Sequence, residues 1–272
     1  MAKRSMLPRL SRHWPLALVL LMLLLWSLAG RGLADALFLP VWVVATQLIV
    51  AGSLEAARLQ RRAWLDQYLF DDSPWHRWLR GGLVMVLRHQ LVGALLALVL
   101  LVKLRLLPLV AWPLLLAGAA GLVLARQWMR RRLARHVIGE RLPAVTRRLL
   151  VPPVAGLLAL VLVVAAFWLP QPWLVGLGWE EAIADHLPGD EGGSLLAFFE
   201  RLAASAEVTQ YWAMQNAMER LLLGPLMTLL GWLLLLLTQG VVAWAYVRLL
   251  VGVDALRRER PAVTRRHREE SP

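Results

Sequence analysis

Three side chains between residues 181 and 186 carry the clearest chemical pattern in this sequence. Glu181 and Asp185 are four residues apart, so a helix places both carboxylates on one face with His186 beside them. Hard oxygen donors with one imidazole suit a divalent cation, and Asp190 or Glu191 can fold back towards the same face. No residue fixes a fourth ligand, and acids at this density equally describe a solvated loop. Glu181, Asp185 and His186 therefore stand as a metal candidate without confirming context.

Other chemistries meet stronger objections. The chain has no cysteine, which removes disulfides, thiolate catalysis, iron-sulfur clusters and Cys-ligated zinc. A phosphate-binding loop of the G-x-x-x-x-G-K-[ST] type needs a lysine after glycine, and neither Lys3 nor Lys103 has that setting. Gly176 and Gly178 lack the third glycine and preceding strand of a dinucleotide fingerprint. Neither H-E-x-x-H nor G-x-S-x-G occurs. Among the histidines only His89 approaches an apolar run, and Arg88 and Gln90 place it at a boundary rather than at the depth a buried haem needs. No catalytic residue and no cofactor are expected, and the reading is of a non-enzyme.

The elements that position these residues follow from composition. Hydrophobic residues make up 59% of the 272 and charged residues 18%, with a mean hydropathy of +0.57, too apolar for a soluble domain. The fold class is all-α, a polytopic helical membrane protein of about six transmembrane helices with interfacial amphipathic helices. A bilayer core needs about 20 apolar helical residues. Spans are expected at 14–30, 37–54, 83–107, 109–126, 149–169 and 221–250, all in one integral membrane domain covering 1–272. Arg88 at one end of the third span and Lys103 and Arg105 at the other can snorkel to headgroups. Pro108 and Pro113 break the helix and permit a tight reversal into the fourth. Ala34-Asp35-Ala36 resembles a signal-peptidase site, but the apolar run before it is long for a signal sequence, and the first span is expected to stay.

Charge fixes an expected orientation, because Lys and Arg flanking spans tend to remain cytoplasmic. With the N-terminus inside, 25 of the 30 basic residues fall on the cytoplasmic side, leaving Arg31, Lys103, Arg105, Arg201 and Arg220 outside, while the 18 acids divide evenly. Both termini are then cytoplasmic. All basic residues except Lys3 and Lys103 are Arg, a compositional skew expected of a GC-rich bacterium, so the location expected is the bacterial inner membrane. Trp14, Trp112, Trp128, Trp168, Trp173 and Trp179 fall where spans meet headgroups, as an aromatic belt would.

The cytoplasmic loops are 55–82 and 127–148, and a basic tail covers 254–272. An interfacial helix is expected from about residue 55 to Asp71-Asp72, followed by a short amphipathic piece with Trp75 and Trp78. Arg130, Arg131, Arg132, Arg135, Arg147 and Arg148 form a basic surface suited to anionic headgroups, and membrane lipids are expected partners. Nucleic acid is not expected, since no recognition motif accompanies the charge. Pro-Ala-Val-Thr-Arg-Arg occurs at 143–148 and again at 261–266, a match too short to establish a duplication.

Residues 170–220 form the outer, periplasmic loop. A helical turn starts near Gly178, a turn cluster lies at 188–193, and Ser194 can cap a helix whose Leu195, Phe198, Phe199, Leu202, Ala206 and Thr209 share a face against the membrane boundary or a partner. Within the spans, Thr46, Gln47, Thr228, Thr238 and Gln239 are expected to hydrogen-bond between helices. Ala117, Gly121 and Ala125 make a small-residue stripe for packing against the neighbouring span.

These features favour a non-enzymatic integral inner-membrane subunit of a multi-protein envelope assembly, of secretion, conjugation or envelope-biogenesis type, with other inner-membrane subunits as partners. One alternative is a transporter or permease subunit for an uncharged or apolar solute, with Thr238, Gln239 and Gly240 lining its path. Another is a lipid-modifying enzyme using the 180–191 acids.

Overall fold

The computed structural model describes the backbone of residues 7–68, 83–135, 142–168, 171–187, 193–220 and 224–269, and no strand occurs among them. Among the described residues eight α-helices follow one another: α1 (Leu7–Leu28), α2 (Arg31–Tyr68), α3 (Leu83–Leu106), α4 (Trp112–Leu133), α5 (Leu142–Trp168), α6 (Trp179–His186), α7 (Leu195–Arg220) and α8 (Gly224–Glu269). Among the described residues five stretches are long and apolar enough to cross a bilayer: Arg31–Ser53, Val84–Leu106, Leu109–Leu133, Val145–Ala166 and Leu229–Val253. The chain is an all-α polytopic membrane protein. The first expected span is an apolar helix only over Trp14–Leu28, shorter than the other five.

The α3–α4 reversal forms where the prolines require it. Pro108 takes an extended conformation, Leu109–Ala111 make one 3-10 turn, and Pro113 sits in the first turn of α4, where no amide donor is needed. Ser194 Oγ accepts from the Ala197 amide at 3.0 Å and caps α7 as expected, while donating to Asp35 at the start of α2.

Helix α8 is the axis of the bundle and packs on α5, α2, α7 and α3. Ala243, Ala245, Tyr246, Val247, Leu249 and Leu250 on it are almost wholly buried, whereas Leu229, Leu233 and Leu237 are exposed in the manner of a lipid-facing row. Against α2 the approach is so close that only glycine fits. A methyl group on Gly252 would lie 1.7 Å from the Leu48 carbonyl oxygen, and one on Gly52 would lie 3.1 Å from the Gly252 backbone.

Among the described residues most hydrogen bonds between the spans come from residues outside the expected Thr and Gln set. Trp26 and Trp42 indoles donate to the Leu101 and Ala94 carbonyls, Ser27 donates to Leu104, and Tyr246 donates to Leu115, all at 2.8–3.0 Å. Such bonds in membrane proteins contribute about 0.6 kcal/mol on average. Thr46 instead bonds the Trp42 carbonyl of its own helix. Thr238 bonds Leu234 and Leu235 of its own helix and reaches only Gln210 of α7, at 3.4 Å.

Four further expectations require correction. The separate interfacial helix after residue 54 is a continuation of α2 as far as Tyr68; the stretch containing Trp75 and Trp78 lies outside the described residues. The loop expected at 127–148 is shorter, because α4 runs to Leu133 and α5 already starts at Leu142. Trp112 is not in an aromatic belt but is 4% exposed in the core, although Trp14, Trp128, Trp168, Trp173 and Trp179 are exposed. The Ala117–Gly121–Ala125 stripe does not pack on the neighbouring span along its length: Ala117 is exposed and a Cβ on Gly121 would meet nothing, while Gly118 lies against Leu158 of α5.

Candidate functional site

Each end of the bundle holds a cluster of charge. At the acidic end Lys103 and Arg105, in the last turn of α3, do not snorkel to headgroups. Lys103 Nζ pairs with Glu207 at 2.5 Å and Arg105 pairs with Glu200, both acids coming from α7. Arg105 also donates to the Ala29 carbonyl at 2.9 Å and lies 5.7 Å from the centre of the Trp26 ring. These pairs hold α7 against α3, so this helix is docked on the bundle through its charged side. Its Leu195, Phe198, Leu202 and Ala206 are exposed, but Phe199, expected on the same face, packs on Phe38 of α2.

A cavity of about 280 Å³ lies beside this clamp and includes Lys103, Glu207, Tyr211 and Gln239 in its walls. Burial, followed by the charge of Glu207, raises the Tyr211 hydroxyl above its ordinary pKa. The loop entering α6 is fixed by α7. Asn216 accepts from the Gly176 amide and donates to the Leu174 carbonyl, while Gln215 bonds both Leu174 and Pro172. Gly176 has φ +85°, a conformation that favours glycine.

At the arginine-rich end a second cavity, about 320 Å³, is formed where α2, α3, α5 and α8 converge. Arg147 and Arg148 reach it from the start of α5, Arg248 from α8 and His89 from α3. Arg147 is only 6% exposed, and Arg248 lies 5.2 Å from the centre of the Trp244 ring. His89 Nδ1 is 2.8 Å from the Met85 carbonyl, which can only accept, so this nitrogen carries the proton of that bond. No Asp or Glu is among the described residues lining the cavity. Among the described lining residues the charge is positive and the walls are partly apolar, a setting that strengthens attraction for an anion.

An apolar groove of about 570 Å³ adjoins it, walled by Leu96 of α3, Ala155, Gly156 and Ala159 of α5, and Leu233 and Gly240 of α8. Pro152 and Trp244 line both the basic cavity and this groove. The two spaces therefore share a wall, with charge at one end and hydrocarbon-like surface beyond it.

Of the six arginines expected as a basic surface, Arg147 and Arg148 line the cavity, whereas Arg131, Arg132 and Arg135 are exposed and Arg132 lies over the Trp128 ring. Arg130 belongs to the last turn of α4. Arg248 and His89 were missed as members of one site; the signal available was that each adjoins an apolar run on the same expected side as Arg147. Glu181 and Asp185 are exposed on α6, His186 Nδ1 lies 3.1 Å from the Ala182 carbonyl, and Asp190 and Glu191 fall outside the described residues. Among the described residues no three His, Asp or Glu side chains group to hold a metal ion. Gln239 lines the acidic-end cavity and Gly240 the apolar groove, so they face different spaces rather than one path.

Comparison with family models, curated proteins and solved structures brings no match to this chain.

Proposed function

We propose that the chain is a non-enzymatic, multi-pass subunit of a multi-protein assembly in the bacterial inner membrane, with its arginine-rich end and both termini cytoplasmic. The observation that carries this reading is the continuity of α2 and α8 past their spans. α2 continues from Ser53 to Tyr68 and α8 from Val253 to Glu269. At 1.5 Å per residue each extension is roughly 22–24 Å long. Both leave the bundle on the side where α2 and α8 meet at Gly52 and Gly252, so the bilayer domain acts as a base for two helical projections. Their sequence mixes Arg with Glu and Asp, as a surface for soluble or peripheral subunits would. The uneven distribution of basic residues supports a cytoplasmic position for this end.

The test is recovery of the chain and its partners from native membranes in mild detergent, using a tag after Leu256 in a shortened form and at the C-terminus in the full one. The full chain is expected to bring down a stoichiometric set of inner-membrane or cytoplasmic-face proteins of a secretion, conjugation or envelope pathway. The shortened chain should reach the membrane in equal amount and lose part of that set. Recovery of the full chain as a lone monomer under these conditions would contradict the reading.

A further inference from the structure

We propose that the basic cavity and the apolar groove together form a binding site for one anionic phospholipid, with the phosphate held by Arg148 and Arg248 and an acyl chain lying along α5 and α8. This inference does not depend on the assembly reading above. It rests on the junction of two spaces that match the two halves of such a molecule. Three arginines and His89 line this cavity of about 320 Å³, with no carboxylate among its described lining residues. Guanidinium forks suit phosphate oxygens, and basic pockets between spans near one membrane face bind acidic headgroups. Arg248 lies over the Trp244 ring, which limits the freedom its side chain would lose on binding.

Past Pro152 and Trp244 the wall chemistry changes abruptly. The described residues lining the groove are Leu, Ala, Gly, Val, Pro and Trp. Along α8 it extends from Trp244 to Leu233, roughly 16 Å at 1.5 Å per residue, a length that accommodates much of an extended acyl chain. Gly156 and Gly240 give it depth, since a Cβ on either would meet nothing within 4 Å. A soluble phosphate compound would use the cavity and leave the groove unfilled, and a zwitterionic lipid would bring a cation towards the arginines. An anionic phospholipid satisfies both halves.

The test uses the purified, delipidated full chain in detergent, with lipid retention read by native mass spectrometry and stability by thermal denaturation. Dioleoyl phosphatidylglycerol is expected to remain bound at one per chain and to raise Tm. Dioleoyl phosphatidylcholine and inorganic phosphate at matched concentration should do neither. Arg148→Gln combined with Arg248→Gln should weaken phosphatidylglycerol binding about tenfold or more. Gly240→Leu, at a position where an added Cβ meets nothing within 4 Å, should also weaken it by occupying the groove without lowering the lipid-free Tm. Arg147→Gln is the less direct variant because its side chain is buried, so the first two substitutions and the groove variant decide the result. Equal retention of the two lipids, unchanged phosphatidylglycerol binding in those variants, or equal stabilisation by inorganic phosphate would each overturn the proposal.

Discussion

Gly252→Ala is expected to lower the stability of the detergent-solubilised protein by about 2–3 kcal/mol, among the largest losses any single methyl group can cause here. The reason is geometric. The added Cβ would fall 1.7 Å from the Leu48 carbonyl oxygen, and the obstacle is backbone, which cannot swing aside as a side chain does. α2 and α8 must separate, which strips contact from Ile49, Leu249 and Leu250, all about 1% exposed. Thermal denaturation of Gly252→Ala beside Gly121→Ala checks this, since a Cβ on Gly121 meets nothing and that variant should stay within about 0.5 kcal/mol of the parent or gain from helix propensity. Equal behaviour of the two variants would show that the helices do not cross as described.

The second large effect belongs to Arg105. Its guanidinium pairs with Glu200, donates to the Ala29 carbonyl and lies against the Trp26 ring, with 10% of its side chain exposed. Arg105→Leu leaves Glu200, itself 20% exposed, without this cation, and a loss on the order of 3 kcal/mol follows. Replacing both partners, Arg105→Leu with Glu200→Leu, should recover part of that loss because no charge is then stranded. A thermal or denaturant double-mutant cycle measures the coupling, expected at about 1–3 kcal/mol. Additive losses would mean that the pair does not hold α7 to α3.

Much of the fold was legible in the sequence because hydropathy reports burial in lipid and local chemistry fixes local turns. Pro108, Pro113 and the Ser194 cap act within a few residues of themselves, and each does what its type predicts. The continuation of α2 to Tyr68 and of α8 to Glu269 was not legible, since a hydropathy window ends where charge begins while the helical hydrogen bonds continue. Lys103 and Arg105 were read as headgroup contacts because their partners lie about a hundred residues away on α7. Sequence gives the charge of each side chain but not the rotation of the helix that carries its partner. The same ambiguity turned Ala117 and Gly121 outward and Trp112 inward.

The candidate site was half legible for a similar reason. Arg147 and Arg148 stood out as part of a basic run, whereas His89 and Arg248 join them only through the packing of α3, α5 and α8. The groove beyond carries no sequence signature, because Ala155, Gly156 and Ala159 look like any span residues until the neighbouring helices leave space beside them.

Which end of the bundle faces the cytoplasm is directly measurable, because the chain has no cysteine of its own. Single substitutions Asp185→Cys and Glu181→Cys at the acidic end, and Arg131→Cys and Arg135→Cys at the arginine-rich end, are labelled in intact spheroplasts with a membrane-impermeant maleimide, then again after permeabilisation. All four positions are exposed. The first pair should react in intact spheroplasts and the second pair only after permeabilisation. The reverse pattern would place the arginine-rich cavity and both helical projections outside the cytoplasm and contradict the account.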